Sequence, residues 1–196
     1  MKEYLKAHNP KIALWLIGVL FISNLLTLFI RSFGQAVILY PSNLNEPLNW
    51  YRFVSYPLYV GGLLSWLYNS IVLYLTGLII EIRLTKKPII MIILSSVIIG
   101  GLVAILINQG DPINRPIASP TMITWGYWSA AIVTGVYHWK SLNLFEKILL
   151  GLSLLSIFSI QNQNFGFLIG QIVVIAIVAI ISILVIIKRK KGHNIR

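Results

Sequence analysis

Long apolar runs without charged residues, separated by short segments that carry the charges, dominate the pattern of this chain. Because a helix needs about 20 apolar residues to cross the hydrocarbon core of a bilayer, such runs predict membrane-spanning helices. The predicted spans cover residues 12–30, 55–80, 89–107, 120–138, 148–160 and 165–187. The first run is longer than the core of a cleavable signal peptide, so we expect it to be retained. The fifth run is short, and its length alone leaves a re-entrant segment as an alternative to a full crossing.

The placement of the basic residues decides between these alternatives. If all six segments cross and the N-terminus is inside, three basic residues lie outside: Arg31, Arg52 and Arg115. The other thirteen of the sixteen lie on the inner side: Lys2, Lys6, Lys11, Arg83, Lys86, Lys87, Lys140, Lys147, Lys188, Arg189, Lys190, Lys191 and Arg196. That bias follows the positive-inside rule, whereas omitting the fifth crossing would place the basic tail outside. We therefore predict six spans, with both termini cytoplasmic, in an integral protein of the plasma membrane.

Composition supports a membrane protein and excludes several other classes. Hydrophobic residues make up 57% of the chain and charged residues 11%, and the mean hydropathy of +0.82 lies far from that of soluble domains. The net charge of +11 does not indicate a nucleic-acid partner, because the basic residues flank the apolar runs. The chain has no cysteine, which excludes disulfides, thiolate chemistry and cysteine metal sites, and we predict no cofactor and no metal.

Polar side chains within the predicted spans are candidate functional groups, because a bilayer makes each of them costly. They are Asn24, Ser65, Asn69, Ser95, Ser96, Thr124, Ser129, Thr134, Ser153, Ser156, Ser159 and the amides at positions 161–164. For Asn69, an interhelical hydrogen bond without chemistry is the competing interpretation. No Asp, Glu, Lys, Arg or His lies at mid-depth of a span, which disfavours proton-coupled transport. A pore or an uncoupled carrier needs no such titratable group and stays an alternative.

Glycines lie within or beside the spans in three groups: Gly61-Gly62, Gly100-Gly101, and Gly166 with Gly170. Small residues let helix backbones approach closely in a membrane. We therefore expect all three groups at helix contacts in a compact bundle.

The segment from Trp50 to Leu84, WYRFVSYPLYVGGLLSWLYNSIVLYLTGLIIEIRL, resembles part of the rhomboid intramembrane proteases. In that family a Trp-Arg motif of the first loop is followed by two histidines, an asparagine, a glycine, and a glutamate before a basic turn. The residues at compatible spacings here are Arg52, Asn69, Gly77, Glu81 and Arg83. The resemblance implies an all-α, six-helix rhomboid-like bundle over residues 1–196, with Asn69 at an oxyanion-type position.

Two later stretches extend the resemblance and also depart from it. GYWSAAIVTG resembles the Gly-x-Ser-Gly stretch that holds the nucleophile, but Ser129 stands one place late and Trp128 occupies the nucleophile position. QNQNFGFLIG resembles the His-x-x-Gly-x-x-x-Gly of the sixth span, but Gln163 occupies the position of the catalytic histidine. The other two family histidine positions hold Val60 and Ser65. The resemblance thus implies a rhomboid framework with degenerate catalytic motifs, that is, a pseudoprotease.

The residues themselves also argue against a base for Ser129. A serine nucleophile needs a base within hydrogen-bond reach. In the predicted topology His8, His138 and His193 all lie on the cytoplasmic side, as do the lysines. His138 follows Ser129 by nine residues, or roughly 13 Å along a helix axis. Gln163 is neutral and cannot take up a proton usefully.

Three functions remain as hypotheses. The first is a catalytically inactive, rhomboid-like protein whose partners are the lipid bilayer and the transmembrane segments of client proteins, because dyad-less members of the superfamily are generally thought to bind such segments. The candidate client-binding residues are Asn69, Ser129, Gln161, Asn162, Gln163 and Asn164. The second is an active intramembrane serine protease that uses Ser129. The third is a small carrier or pore.

Overall fold

The regular elements of the described residues are helices. The computed structural model describes residues 9–109, 115–154 and 165–193. The α-helices of this part of the chain are α1 Lys11–Phe29, α2 Arg31–Val37, α3 Arg52–Ser55, α4 Leu63–Arg83, α5 Lys86–Asn108, α6 Thr121–Tyr137, α7 Leu144–Leu154 and α8 Phe165–His193. Short 3-10 helices cover Pro41–Asn45, Pro47–Asn49, Tyr56–Leu58 and Trp139–Ser141.

Four of the described helices are long and apolar enough to cross a membrane. They are Lys11–Phe29, Leu63–Arg83, Lys86–Asn108 and the Phe165–Lys190 part of α8. Helix α6 has 17 residues, and α7 is described over 11 residues, up to Leu154. These helices confirm the all-α membrane class, and the count of six crossings stays a prediction.

The helix of the second predicted span begins later than residue 55. Pro57 lies in the 3-10 helix Tyr56–Leu58, and α4 starts only at Leu63, after Gly62. Gly62 has a φ of 121°, a conformation that residues with a Cβ rarely adopt, so the chain turns there before the helix begins. Residues 55–62 therefore form the approach to the helix.

Helix α6 lies among α4, α5, α7 and α8, and α5 packs along α8. The α5–α8 contact is close because glycines face each other there. A Cβ added to Gly170 would lie 2.8 Å from the carbonyl oxygen of Gly100, and one added to Gly166 would lie 2.8 Å from that of Ala104. Added Cβ atoms at Gly100 and Gly101 would also crowd neighbouring side chains. The prediction of close packing is confirmed for these glycines, but it is wrong for Gly61 and Gly62, which have no such neighbour within 4 Å.

Polar contacts gather several helix ends at one end of the bundle. Glu81, near the end of α4, accepts hydrogen bonds from the backbone N–H groups of Ile12 and Ala13 at the start of α1. Arg83 forms an ion pair with Glu146 of α7, and Arg189 of α8 donates to the Arg83 carbonyl oxygen. We call this end, with Glu81, Arg83, Glu146 and Arg189, the basic end.

The opposite end is closed by the long first loop. Leu39 pairs with Ile117 through two backbone hydrogen bonds of 3.1 and 2.8 Å, and both side chains are buried. Arg52 donates from Nη1 to the carbonyl oxygen of Ile38 at 3.0 Å. Trp50 and Tyr51 of the same loop are about half exposed, as expected for aromatic rings at a membrane interface.

Candidate functional site

Asn69 lies at the contact between α4 and α6, with its side chain fully buried. Its Nδ2 donates to the carbonyl oxygen of Ser65, one turn earlier, at 2.8 Å. Its Oδ1 accepts a hydrogen bond from the Thr124 hydroxyl of α6 at 2.6 Å. The amide oxygen and one N–H therefore have partners inside the bundle, and Asn69 links two helices.

Ser129 follows Thr124 on α6 by about one and a half turns and is also buried. Its hydroxyl donates to the carbonyl oxygen of Ile175 on α8 at 2.7 Å. A backbone carbonyl accepts a hydrogen bond but is not a general base. The serine proton is therefore directed at a group that cannot remove it.

Trp128, which the sequence resemblance aligns with the nucleophile position, faces a different neighbour. Its indole N–H donates to the carbonyl oxygen of Ser153 on α7 at 2.8 Å, and its ring meets Trp125 edge to face. Successive helical residues differ by about 100° in direction, which is why Trp128 contacts α7 while Ser129 contacts α8. Trp128 has no hydroxyl, and the hydroxyl of Ser129 donates to a backbone carbonyl that does not activate it.

A further polar link joins α6 and α8 and was missed by the sequence analysis. Gln171 donates from Nε2 to the Thr121 hydroxyl at 3.4 Å, and Thr121 donates to the hydroxyl of Ser119 at 2.9 Å. The Gln171 Oε1 atom is buried and has no hydrogen-bond partner among the described residues. The signal that could have identified Gln171 is an amide within a predicted span, the same signal that identified Asn69.

The predicted client-binding residues are only partly within the described ranges. Asn69 and Ser129 are buried and bond to different helices, whereas Gln161, Asn162, Gln163 and Asn164 lie outside the described residues. His138 directly follows α6, at the basic end, nine residues beyond Ser129. Within residues 9–109, 115–154 and 165–193, no group of three His, Asp or Glu side chains gathers to hold a metal ion.

The family model described as Rhomboid domain matches residues 47–194, which include helices α3 to α8. The chain belongs to the rhomboid family. No curated protein and no solved structure matches it. Together with the apolar helices, family membership makes this rhomboid an integral membrane protein that sits in a lipid bilayer.

Three of the residues at rhomboid-compatible spacings, Gly77, Glu81 and Arg83, contact other helices of this rhomboid. Gly77 faces α1, and a Cβ added there would lie 2.7 Å from the Cβ of Ala13. Glu81 accepts the backbone N–H groups of Ile12 and Ala13 in the first turn of α1, and Arg83 pairs with Glu146 at 2.6 Å. Glu146 also accepts the Asn143 N–H while Asn143 Oδ1 accepts the Glu146 N–H, a reciprocal cap at the start of α7. These rhomboid residues hold the bundle together.

Proposed function

We propose that this rhomboid is a non-proteolytic membrane protein that binds transmembrane segments of other membrane proteins. The observation that carries the proposal is the hydrogen bond from the Ser129 hydroxyl to the Ile175 carbonyl oxygen. Serine catalysis needs a base that takes the hydroxyl proton, and this acceptor cannot do so. The best candidate nucleophile instead joins two helices.

The position of Asn69 supports the same proposal. An oxyanion-stabilising amide must aim its N–H donors at the reacting carbonyl oxygen. One N–H of Asn69 is directed to Ser65 of its own helix, and the amide oxygen is held by Thr124. The residue at the oxyanion-type position is thus used in packing α4 against α6.

We further propose six crossings, with both termini in the cytoplasm and the protein in the plasma membrane. The 17 residues of α6 give about 25 Å of helix, and α6 lies among helices that are long enough to span. Lys11, Arg83, Glu146 and Arg189 belong to the helix ends gathered at the basic end. The positive-inside rule assigns that end to the cytoplasm.

Client binding would use Asn69, Ser129 and the amides of Gln161, Asn162, Gln163 and Asn164. Hydrogen bonds between helices in a bilayer average only about 0.6 kcal/mol, so a polar client group can exchange with an internal partner at small cost. The Oε1 atom of Gln171, which has no hydrogen-bond partner among the described residues, offers an acceptor in the α6–α8 contact. Several such bonds together would select a client helix that carries polar groups.

Labelling with a serine-reactive fluorophosphonate tests the absence of catalysis. The full-length protein in proteoliposomes is expected to remain unlabelled, as is its Ser129→Ala variant. Labelling that disappears in Ser129→Ala would overturn the proposal in favour of an active protease. Ion flux through the same proteoliposomes is expected at background, and flux above it would favour a carrier or pore.

A pair of model clients tests the binding function. The probes are two single-span polyleucine peptides, with and without one central asparagine, each carrying the same photo-crosslinker. We expect stronger crosslinking of the asparagine peptide, and a loss of that preference in Gln163→Leu. The matched control is Gln109→Leu, because Gln109 is an exposed amide at the end of α5. Equal crosslinking of both peptides by the unsubstituted protein would contradict the proposal.

A further inference from the structure

A cavity of about 500 Å³ lies at the basic end, where α4, α6 and α8 finish. Its lining includes the last residue of α4, Arg83, the last residue of α6, Tyr137, and His138, which follows it. Helix α8 contributes Arg189 and Lys190. The cavity therefore collects basic side chains from separate helices at one level of the bundle.

The positive charge of the cavity is only partly compensated. Arg83 pairs with Glu146, and its side chain is 13% exposed. Within the described part of the chain, neither Arg189 nor Lys190 forms an ion pair. Burial, and to a smaller extent the charges of Arg83 and Arg189, lower the pKa of His138. An excess of positive charge thus faces the cavity.

The arginines still have donors for a ligand. A guanidinium carries five N–H donors. Arg83 directs one to the Ile79 carbonyl oxygen and one to Glu146, and Arg189 directs one to the Arg83 carbonyl oxygen. These bonds hold both side chains in place, and the remaining donors suit the oxygens of a phosphate group.

Part of the cavity lining is apolar. It consists of Leu84, just after α4, and of Val185 and Ile186 of α8. Leu84 and Ile186 are buried and Val185 is partly buried. A ligand that fits this lining carries both a phosphate group and hydrocarbon.

We propose that this cavity binds the headgroup phosphate of an anionic phospholipid, with the glycerol and upper acyl chain against Leu84, Val185 and Ile186. The cavity lies at the ends of membrane-spanning helices α4 and α8, where lipid headgroups are found. Basic pockets between helices are known to hold anionic headgroups in this way. The proposal does not depend on client binding or on the loss of catalysis.

Titration of short-chain phosphatidylglycerol into the full-length protein in neutral detergent tests the site, with short-chain phosphatidylcholine as the neutral comparison. We expect phosphatidylglycerol to bind more tightly. Each of Arg189→Gln and Lys190→Gln should raise its Kd about fivefold, since a basic residue near a lipid surface contributes about 1 kcal/mol. The matched control is Lys188→Gln, an exposed lysine of α8 outside the lining, which should change Kd less than twofold. Equal affinity for the two lipids, or an equal effect of Lys188→Gln, would overturn a defined site.

Two further experiments distinguish a lipid ligand from free phosphate, and a loss of binding from a loss of folding. Inorganic phosphate is expected to compete only weakly, and binding as tight as that of phosphatidylglycerol would overturn the lipid assignment. Arg189→Lys keeps the charge but loses the planar guanidinium donors, so its Kd should lie between those of the unsubstituted protein and Arg189→Gln. The unfolding temperature of each variant without anionic lipid should match that of the unsubstituted protein, and a weakened affinity that follows a lowered temperature would count against the site.

Discussion

The hydroxyl of Ser129 on α6 and the carbonyl oxygen of Ile175 on α8 are 2.7 Å apart and hydrogen-bonded. The carbonyl belongs to the interior of α8, so the serine adds a second bond to an oxygen that already has a helical partner. This relationship gives Ser129 a structural role, in which it fixes the rotation of α6 against α8.

Ser129→Ala is expected to lower the free energy of unfolding by only about 0.6 kcal/mol, because it removes one interhelical hydrogen bond and leaves no acceptor unpaired. SDS titration of the protein in mixed micelles measures this change. The control is Ser95→Ala, because Ser95 bonds within its own helix to Ile92. If Ser129→Ala lowered the free energy of unfolding no more than Ser95→Ala does, the result would contradict the interhelical bond.

Much of the fold was predictable because a bilayer leaves few alternatives for a chain of apolar runs. The helical class and the close contact at Gly166 and Gly170 follow from local pattern. Family membership was also predictable, although other residues occupy the family's histidine positions. The order and spacing of five other family residues are kept: Arg52, Asn69, Gly77, Glu81 and Arg83.

The partners of the site residues were not predictable from local pattern. Whether Asn69 meets Thr124 or a client depends on the rotation of two helices about their axes, and apolar runs with little amphipathic character do not fix that rotation. The partner of Gln171 was unpredictable for the same reason, because its contact with Thr121 depends on how α8 packs against α6. The late start of α4 depends on the backbone conformation of Gly62. It was not predictable, because a pair of glycines is equally compatible with close helix packing.

Gly170→Ala is expected to lower the free energy of unfolding by about 1–3 kcal/mol, the usual cost of overpacking. The added Cβ would meet the carbonyl oxygen of Gly100 at 2.8 Å, and a backbone atom cannot move aside without separating α5 from α8. Gly18→Ala is the matched control, because a Cβ there has no such neighbour within 4 Å and alanine favours the helix. SDS titration should show opposite signs for the two variants, and equal signs would refute the close contact.

Glu81→Ala is expected to loosen the start of α1. The carboxylate accepts the N–H groups of Ile12 and Ala13 at 2.9 and 2.7 Å, and losing such a cap costs about 0.5–2 kcal/mol. Glu81→Gln keeps one acceptor oxygen and should show a smaller effect. Faster trypsin cleavage after Lys11 measures the loosening. Glu46→Ala, which removes a loop carboxylate bonded to Asn43 and Asn49, should leave that cleavage rate unchanged.

A double-mutant cycle on Asn69 and Thr124 tests the bond that distinguishes a packing role from an oxyanion role. Thr124→Val keeps the shape of the side chain and removes the 2.6 Å bond to the Asn69 Oδ1, and Asn69→Leu removes the acceptor. Because the two residues share one bond, the combined loss of unfolding free energy should be smaller than the sum of the single losses, by about 0.6 kcal/mol and at most about 1.7. Thr76→Val with Asn69→Leu is the control pair, since Thr76 bonds to Val72 of its own helix and lies about 10 Å further along α4, where effects add. Additivity in both cycles would mean that Asn69 and Thr124 are uncoupled, and the amide of Asn69 would then be free for another partner.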